Sequence, residues 1–410
     1  MFRKKKTAVL LFLAALAVIT FLDRICIAVA GPRIQDDLRI PPDKWGWILG
    51  AFVLSYGIFE VPTGALGDRS GQRGVLTRIV VWWSVFTSLT GAAVNFTQLL
   101  SARFLFGAGE AGMYPNASGV IARWFPAGER GRAQGVVWAA SRFGGALSPL
   151  LVVPLQIRFG WRASFWIFGC IGIVWAVAWY WWYRDRDPKQ SNPAPAVHVS
   201  IPWRRVVRSR TLWLIFAAYW AYAWGSWFYF AWLPTYLVRG AGFTEAEMGI
   251  FSALPFLLGT AANLIGGVAG DFAAKRYGLK IARRGIAGGS LAVGSLLILA
   301  MAFSRDKRAI VILSSLGFGV MDLMLPTAWA LCLDVGHRYA GVVTGVMNTA
   351  GQFGGFVCTV LFGYIVESAG SYSAPLWVVA AMVMTGAILF SLIDPTRPLF
   401  EEDRAGSSVG

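Results

Sequence analysis

Apolar residues gather along the chain into long runs separated by short polar connections. Runs near 7–30, 45–67, 76–94, 98–122, 133–156, 162–183, 212–238, 246–270, 283–303, 308–333, 340–366 and 373–393 each reach the roughly 20 residues a helix needs to cross about 30 Å of hydrocarbon. The pattern predicts an all-α membrane protein of twelve transmembrane helices. The longest connection, Arg184 to Arg210, is rich in Pro, Arg and Lys and divides the spans six and six. The expected organisation is a six-helix bundle over 1–183, a cytoplasmic linker over 184–211, and a second bundle with a short cytoplasmic tail over 212–410. The basic start, Met1 to Lys6, followed by an apolar run and Ala28-Val29-Ala30, mimics a cleavable signal peptide. The run is long enough to span, however, and Asp23-Arg24 is foreign to a signal core.

Basic residues orient the spans. With the N-terminus in the cytoplasm, the inner connections carry the larger share of the 37 Lys and Arg, so both termini are expected inside. An internal repeat then ties the halves together. Gly131, Gly135, Phe143, Gly144 and Gly145 open the fifth span, and Gly341, Gly345, Phe353, Gly354 and Gly355 open the eleventh at one constant interval. Gly64-Ala65-Leu66-Gly67-Asp68 after span two is echoed by Gly267-Val268-Ala269-Gly270-Asp271 after span eight. Two copies of one six-helix unit are a known transporter plan.

Composition agrees. The chain is 56% hydrophobic and 14% charged, against about a quarter charged in soluble domains. Its net charge of +16 does not point to nucleic acid, because the basic residues sit in short clusters between spans rather than on one basic domain. Cys26, Cys170, Cys332 and Cys358 lie in apolar runs without metal-ligand spacing, and His198 and His337 lie in polar stretches. No metal and no cofactor is expected. Asn95-Phe96-Thr97 is a sequon in a very tight turn and reads as chance. Arg204, Arg205 and Arg208 beside Trp203 suggest a short amphipathic anchor on the inner face.

Charges inside spans carry the functional signal, since each costs about 2.5–3.5 kcal/mol at the bilayer centre on insertion scales. Asp23-Arg24 lie in span one. Arg103 and Glu110 lie in span four, two helical turns apart on one face. Arg142 lies in span five, and by the repeat its counterpart in span eleven is Gln352. Asp322 lies in span ten. An arginine offers a planar fork to a carboxylate, and a buried carboxyl can carry a proton. Each has a structural alternative: Asp23-Arg24 as a self-neutralising pair, Glu110 as one end of a bridge to an arginine, Asp322 as a partner for a neighbouring helix. Of the many span-seven aromatics, Tyr229 is a candidate ring-stacking residue, as is Trp329 in span ten.

The segment Gly64 to Arg73 resembles the signature loop of the major facilitator superfamily. That resemblance makes Gly64, Asp68, Arg69 and Arg73, with Asp271 in the second half, a conformational latch at the cytoplasmic face. Phe21-Leu22-Asp23-Arg24, the stretch from Arg103 to Pro115, Gly160-Trp161-Arg162, Trp232-Leu233-Pro234-Thr235-Tyr236-Leu237 and Gly345 to Gly351 resemble the anion:cation symporter family. That family includes bacterial galactonate, hexuronate and glucarate transporters, and animal sialic-acid and vesicular glutamate transporters. The likeness covers essentially the whole chain. It implies Asp23 and Glu110 as proton-linked acids, Arg24 as the substrate arginine, Arg103 as the companion of the span-four acid, and Tyr56 and Asn348 as polar cavity residues. Two departures stand out. Phe21 occupies a position where sugar-acid members often have Tyr, and Arg142 one where galactonate-type members carry an uncharged polar residue. Arg142 either holds a second carboxylate, phosphonate-like or sulfonate group, or neutralises Glu110 or Asp322.

The expected function is secondary transport: proton-coupled symport of a small organic anion, with sugar acids leading, by a monomer in the bacterial inner membrane. Rivals are an uncoupled facilitator, an exchanger or exporter, and a non-transporting anion sensor. An enzyme is not expected, because no nucleophile–base pair, metal-ligand helix or phosphate loop lies within a span.

Overall fold

A computed structural model describes residues 2–185, 204 and 207–397, apart from the side chains of 2–4, 65, 67–69, 127, 128 and 338. All regular structure among them is helical. The elements are α1 (Phe2–Val29), α2 (Gly31–Leu38), α3 (Pro42–Ser70), α4 (Gln72–Ala92), α5 (Phe96–Glu110), α6 (Met113–Trp124), α7 (Ala127–Phe159) and α8 (Trp161–Trp182). They are followed by α9 (Arg210–Trp227), α10 (Glu245–Phe251), α11 (Ala253–Tyr277), α12 (Leu279–Phe303), α13 (Lys307–Asp322), α14 (Met324–Gly336), α15 (Ala340–Ala369) and α16 (Ala374–Leu392).

Among the described residues, 10 helical stretches are long and apolar enough to cross a membrane, two of them joining α10 to α11 and α13 to α14. Twelve crossings are reached only by adding two interrupted segments. The segment near 98–122 breaks after Glu110, where Ala111 is extended and Gly112 takes φ +86°. That conformation strains any residue with a Cβ. The segment near 212–238 passes from α9 into two π-helical turns, Phe228–Trp232 and Tyr236–Gly240, around a single α turn at Leu233–Thr235. Pro234 removes a backbone donor there, and widened turns absorb such a gap.

The chain forms two compact units. Unit 1 comprises Met1–Ala196, Phe230–Leu254 and Thr359–Ser368. Its principal contacts are α1 on α7, α3 on α5 and α4 on α8. Gly144 makes the first possible, because a Cβ there would lie 2.5 Å from the Val18 carbonyl oxygen. The Ser148 hydroxyl donates to the Leu22 carbonyl at 3.1 Å between the same helices. The two later segments join unit 1 through named contacts. Trp232 stacks on Phe362 at 4.6 Å and its indole donates to the Thr359 carbonyl. Arg33 Nε reaches both Glu245 oxygens at 2.8 Å, while Arg239 bonds Asp36 at 2.6 Å and the Pro32 carbonyl at 3.0 Å.

Unit 2 comprises Val197–Tyr229, Pro255–Cys358 and Ala369–Gly410, with α9 and α12 both packed on α16 and α13 on α12. Gly354, the repeat partner of Gly144, faces the backbone of Trp220 in α9. The repeated glycine therefore does one job twice, letting the fifth helix of each half approach the first. Arg284 donates to the Ile393 carbonyl at 2.6 Å in this unit, much as Arg73 donates to the Tyr180 carbonyl at 2.8 Å in unit 1.

The signature segment is not the loop its sequence suggests. Gly64 to Ser70 complete α3, and the chain turns only at Gly71. Arg73 is anchored on Tyr180, its guanidinium 4.1 Å from the ring centroid. The carboxylate of Asp185 accepts the N–H groups of Gln72 at 2.9 Å and Arg73 at 3.2 Å, and lies 3.6 Å from Arg123. Anions are favoured at a helix N-terminus. Asp271 is exposed on α11. The side chains of Asp68 and Arg69, most of the linker and most of the amphipathic stretch at 203–208 lie outside the described residues. Removing the acceptor in Asp185→Ala is expected to cost about 1 kcal/mol. It should be read as a lowered thermal unfolding midpoint in detergent, and no shift there would assign the α4 start to other contacts.

Candidate functional site

The break in the fourth span decides where its acid sits. Glu110 is the last residue of α5, followed by Ala111 and Gly112. A carboxylate at a helix C-terminus meets the negative end of the helix dipole, so it needs a cation. Arg24 supplies it. Arg24 Nε donates to Glu110 Oε1 at 3.1 Å, and Nη2 donates to the same oxygen. Glu110 is fully buried and the Arg24 side chain is 11% exposed. Removing one partner from such a pair leaves an uncompensated buried charge.

Aromatic faces complete the housing of Arg24. Its guanidinium lies 5.2 Å from the Phe21 ring centroid, 5.1 Å from Phe52 and 4.9 Å from Tyr56. Arg103 approaches the same Phe52 ring at 5.0 Å and Phe106 at 4.4 Å. Glu110 thus forms the bridge to an arginine that its sequence allowed, with Arg24 as the partner, while Arg103, two turns before it on α5, contributes at longer electrostatic range and its Nε has no hydrogen-bond partner among the described residues. Asp23 faces this cluster. Both its oxygens are buried without a hydrogen-bond partner among the described residues, and the Trp83 indole lies beside it but outside hydrogen-bonding geometry. Arg24 and Asp23 are adjacent in sequence, yet they do not neutralise each other.

Arg142 is buried on α7, 5.3 Å from the Phe230 ring centroid. Phe230 meets Phe21 edge to face at 6.1 Å. Tyr114, stacked on Trp138 at 4.6 Å, shares a 2.8 Å hydrogen bond with Ser141 and lies within electrostatic reach of both Arg24 and Arg142. Unit 1 therefore brings together Asp23, Arg24, Tyr56, Arg103, Glu110 and Arg142.

The remaining candidates lie in unit 2. Asp322, the last residue of α13, is buried and accepts from the Tyr222 hydroxyl at 3.1 Å and from Asn263 Nδ2 at 2.6 Å. Tyr229 packs on Phe318 at 4.8 Å and is almost fully buried. Trp329 is half-buried on α14, and Asn348 and Gln352 are half-buried one helical turn apart on α15. The Gln352 carbonyl oxygen has no hydrogen-bond partner among the described residues.

Sequence reasoning missed Phe52, Trp83, Tyr114 and Phe230. Phe52 lies four residues before Tyr56, so helical spacing placed both on one face. Tyr114 stands inside the Arg103-to-Pro115 stretch. Phe230 offered no signal, because the π turn carrying it breaks the α periodicity. No group of three or more His, Cys, Asp and Glu that could hold a metal exists among the described residues.

Residues 13–359 match the family described as Major Facilitator Superfamily. The chain belongs to the major facilitator superfamily. It is 32% identical over 407 residues to the probable sulfoacetate transporter of Cupriavidus necator, covering 95% of this chain and 94% of that one. It is 29% identical to the hexuronate transporter of Bacillus subtilis, covering 97% and 96%, and 30% identical to the probable L-galactonate transporter of Escherichia coli, covering 95% and 89%. The fold resembles a bacterial homologue of the human lysosomal transporter Spinster in an inward-facing, occupied conformation. The TM-score is 0.83 at 18% identity, covering 97% of this chain and 98% of that one. The chain is thus a multi-pass membrane transporter rather than an enzyme.

The Arg24–Glu110 bridge should show as energetic coupling. Arg24→Gln and Glu110→Gln are each expected to destabilise the protein by about 3 kcal/mol, and the double variant by clearly less than their sum. Thermal or denaturant unfolding in detergent measures the cycle; additive losses would mean that the two side chains do not depend on each other.

Proposed function

We propose that the protein carries a small organic anion across the inner membrane together with protons, by alternating access, as a monomer with both termini in the cytoplasm. The relatives named above, a hexuronate transporter and probable transporters of sulfoacetate and L-galactonate, support the substrate class, with sugar acids and related carboxylates leading. One observation carries the coupling: the arginine suited to bind a carboxylate is already held by a buried carboxylate of the protein.

Glu110 and an incoming anion compete for the same guanidinium fork. A proton on Glu110 removes its charge and releases Arg24 to the substrate. Loss of that proton restores the internal pair and displaces the anion. Asp23, buried without a hydrogen-bond donor among the described residues and eased by the charge of Arg103, still bears a desolvation cost whenever it is charged, and a proton relieves it. The pair thereby links occupancy by substrate to occupancy by protons. Tyr56 lines the arginine, and Asn348, Gln352, Tyr229 and Trp329 are the candidate contributions of the second half. At the inner end Gly64, Asp68, Arg69 and Arg73, with Asp271, form the candidate latch.

Uptake into proteoliposomes under an imposed pH gradient, acid outside, tests the reading. Accumulation of a sugar acid or sulfoacetate should follow the gradient and collapse with a protonophore. Glu110→Gln should lose gradient-driven accumulation while retaining exchange across the membrane. Uptake indifferent to the gradient, with Glu110→Gln unimpaired in net accumulation, would replace symport by uncoupled facilitation.

A further inference from the structure

Tyr114 is the second residue of α6, just past the break at Ala111 and Gly112 that ends the helix of Glu110. Its ring lies flat on Trp138 of α7, with centroids 4.6 Å apart and planes 6° apart. Its hydroxyl meets Ser141 Oγ, one turn further along α7, at 2.8 Å. The Arg24–Glu110 bridge makes no use of this tyrosine, yet Tyr114 lies within electrostatic reach of both members of that bridge.

The direction of the Ser141 bond follows from the protons available. Each hydroxyl carries one proton. Fully buried Ser141 donates its own to the Val137 carbonyl at 3.0 Å, within α7. Were Ser141 to donate to Tyr114 instead, the phenolic proton would have no acceptor among the described residues, and buried donors are rarely left so. Tyr114 therefore donates to Ser141, and Ser141 donates to Val137. The phenolic oxygen keeps its capacity to accept, and no donor among the described residues reaches it by a hydrogen bond. It is also less closed off than the acids. Glu110 is 0% and Asp23 1% exposed, whereas Tyr114 keeps 8% of its surface and Arg24 11% of its side chain's. The accessible surface of this cluster thus includes a donor fork and an acceptor oxygen.

An ionised carboxylate accepts hydrogen bonds and donates none. It suits Arg24 and cannot satisfy Tyr114. A hydroxyl on the carbon beside the carboxylate can. Resting on the organic-anion reading above, we propose that the substrate is a 2-hydroxy carboxylate, its carboxylate on Arg24 and its 2-hydroxyl donating to the Tyr114 oxygen. Tyr114 selects it over anions that lack this hydroxyl, because a site built to pair a substrate hydroxyl loses that bond with the deoxy analogue. Ser141 is a positioning residue: it holds the phenolic proton and so keeps the oxygen an acceptor.

The test uses the full-length protein in lipid nanodiscs and measures binding by isothermal titration calorimetry. The probes are gluconate and lactate, each with its 2-deoxy and 2-fluoro counterparts, and sulfoacetate. The wild-type protein should bind at least one hydroxy acid about tenfold tighter than its deoxy counterpart, as one hydrogen bond implies. The fluoro counterpart, which cannot donate, should be as weak as the deoxy one. Tyr114→Phe keeps the stacking ring. It should weaken the hydroxy acid about tenfold and leave the deoxy acid unchanged. Equal binding of hydroxy and deoxy acids overturns the proposal, as does a fluoro counterpart bound as tightly as the hydroxy acid. A Tyr114→Phe variant that keeps the ratio, or weakens both members alike, overturns it too, the latter being the mark of a purely structural tyrosine. Should Tyr114→Phe fail to fold, the fluoro comparison on the wild-type protein decides. Binding of sulfoacetate without any hydroxy acid overturns the hydroxyl assignment and leaves organic-anion transport standing. Binding of no probe overturns this proposal and the organic-anion reading together.

Discussion

The pairing of Arg24 with Glu110 is the constraint on which the rest of the first unit depends. A carboxylate at the end of a broken helix, deep in an apolar segment, is unfavourable on two counts: it lacks water, and it faces the negative end of the helix dipole. Only a buried cation makes the arrangement tenable, and that cation must itself be housed. Phe21, Phe52 and Tyr56 surround it with aromatic faces. Their positions on α1 and α3 require those helices to sit close to α5. The close approach of α1 to α7 at Gly144 then brings Arg142 into the same region.

The two units meet the same problem with different chemistry. Asp322 also ends a helix, α13, and is also buried, but the partners described for it are the neutral donors Tyr222 and Asn263. Neutral donors hold an acid in place, whereas an arginine can exchange one carboxylate for another. The backbone differs as well: Leu323 after Asp322 keeps the right-handed helical conformation, whereas Ala111 and Gly112 interrupt the helix after Glu110.

Much of this was legible in the sequence. Apolar run length marked the spans, the glycine repeat marked the two-fold plan, and the rarity of charge inside spans pointed to Asp23, Arg24, Arg103, Glu110, Arg142 and Asp322 before any contact was known. Which of them pair was not legible. Spacing put Arg103 and Glu110 on one helix, and both lie on α5, but spacing within one helix cannot show that Glu110 pairs with Arg24 on another, 86 positions away in the chain. Periodicity assumes an unbroken helix, so it fails where Gly112 and Pro234 interrupt one. Asp185 went unnoticed for another reason: an acid just past a span reads as an ordinary solvent-facing residue until the helix start it caps is located.

The membership of unit 1 bears on how the chain is made. Residues 230–254 and 359–368 complete that unit, yet they leave the ribosome long after α8. The first six spans therefore enter the bilayer with the surface around Trp45, Arg33 and Asp36 still uncovered. It stays so until the seventh, eighth and eleventh spans have been inserted. Synthesis order and assembly order differ for this unit, and the nascent first half must remain soluble in lipid, without its final partners, for most of translation.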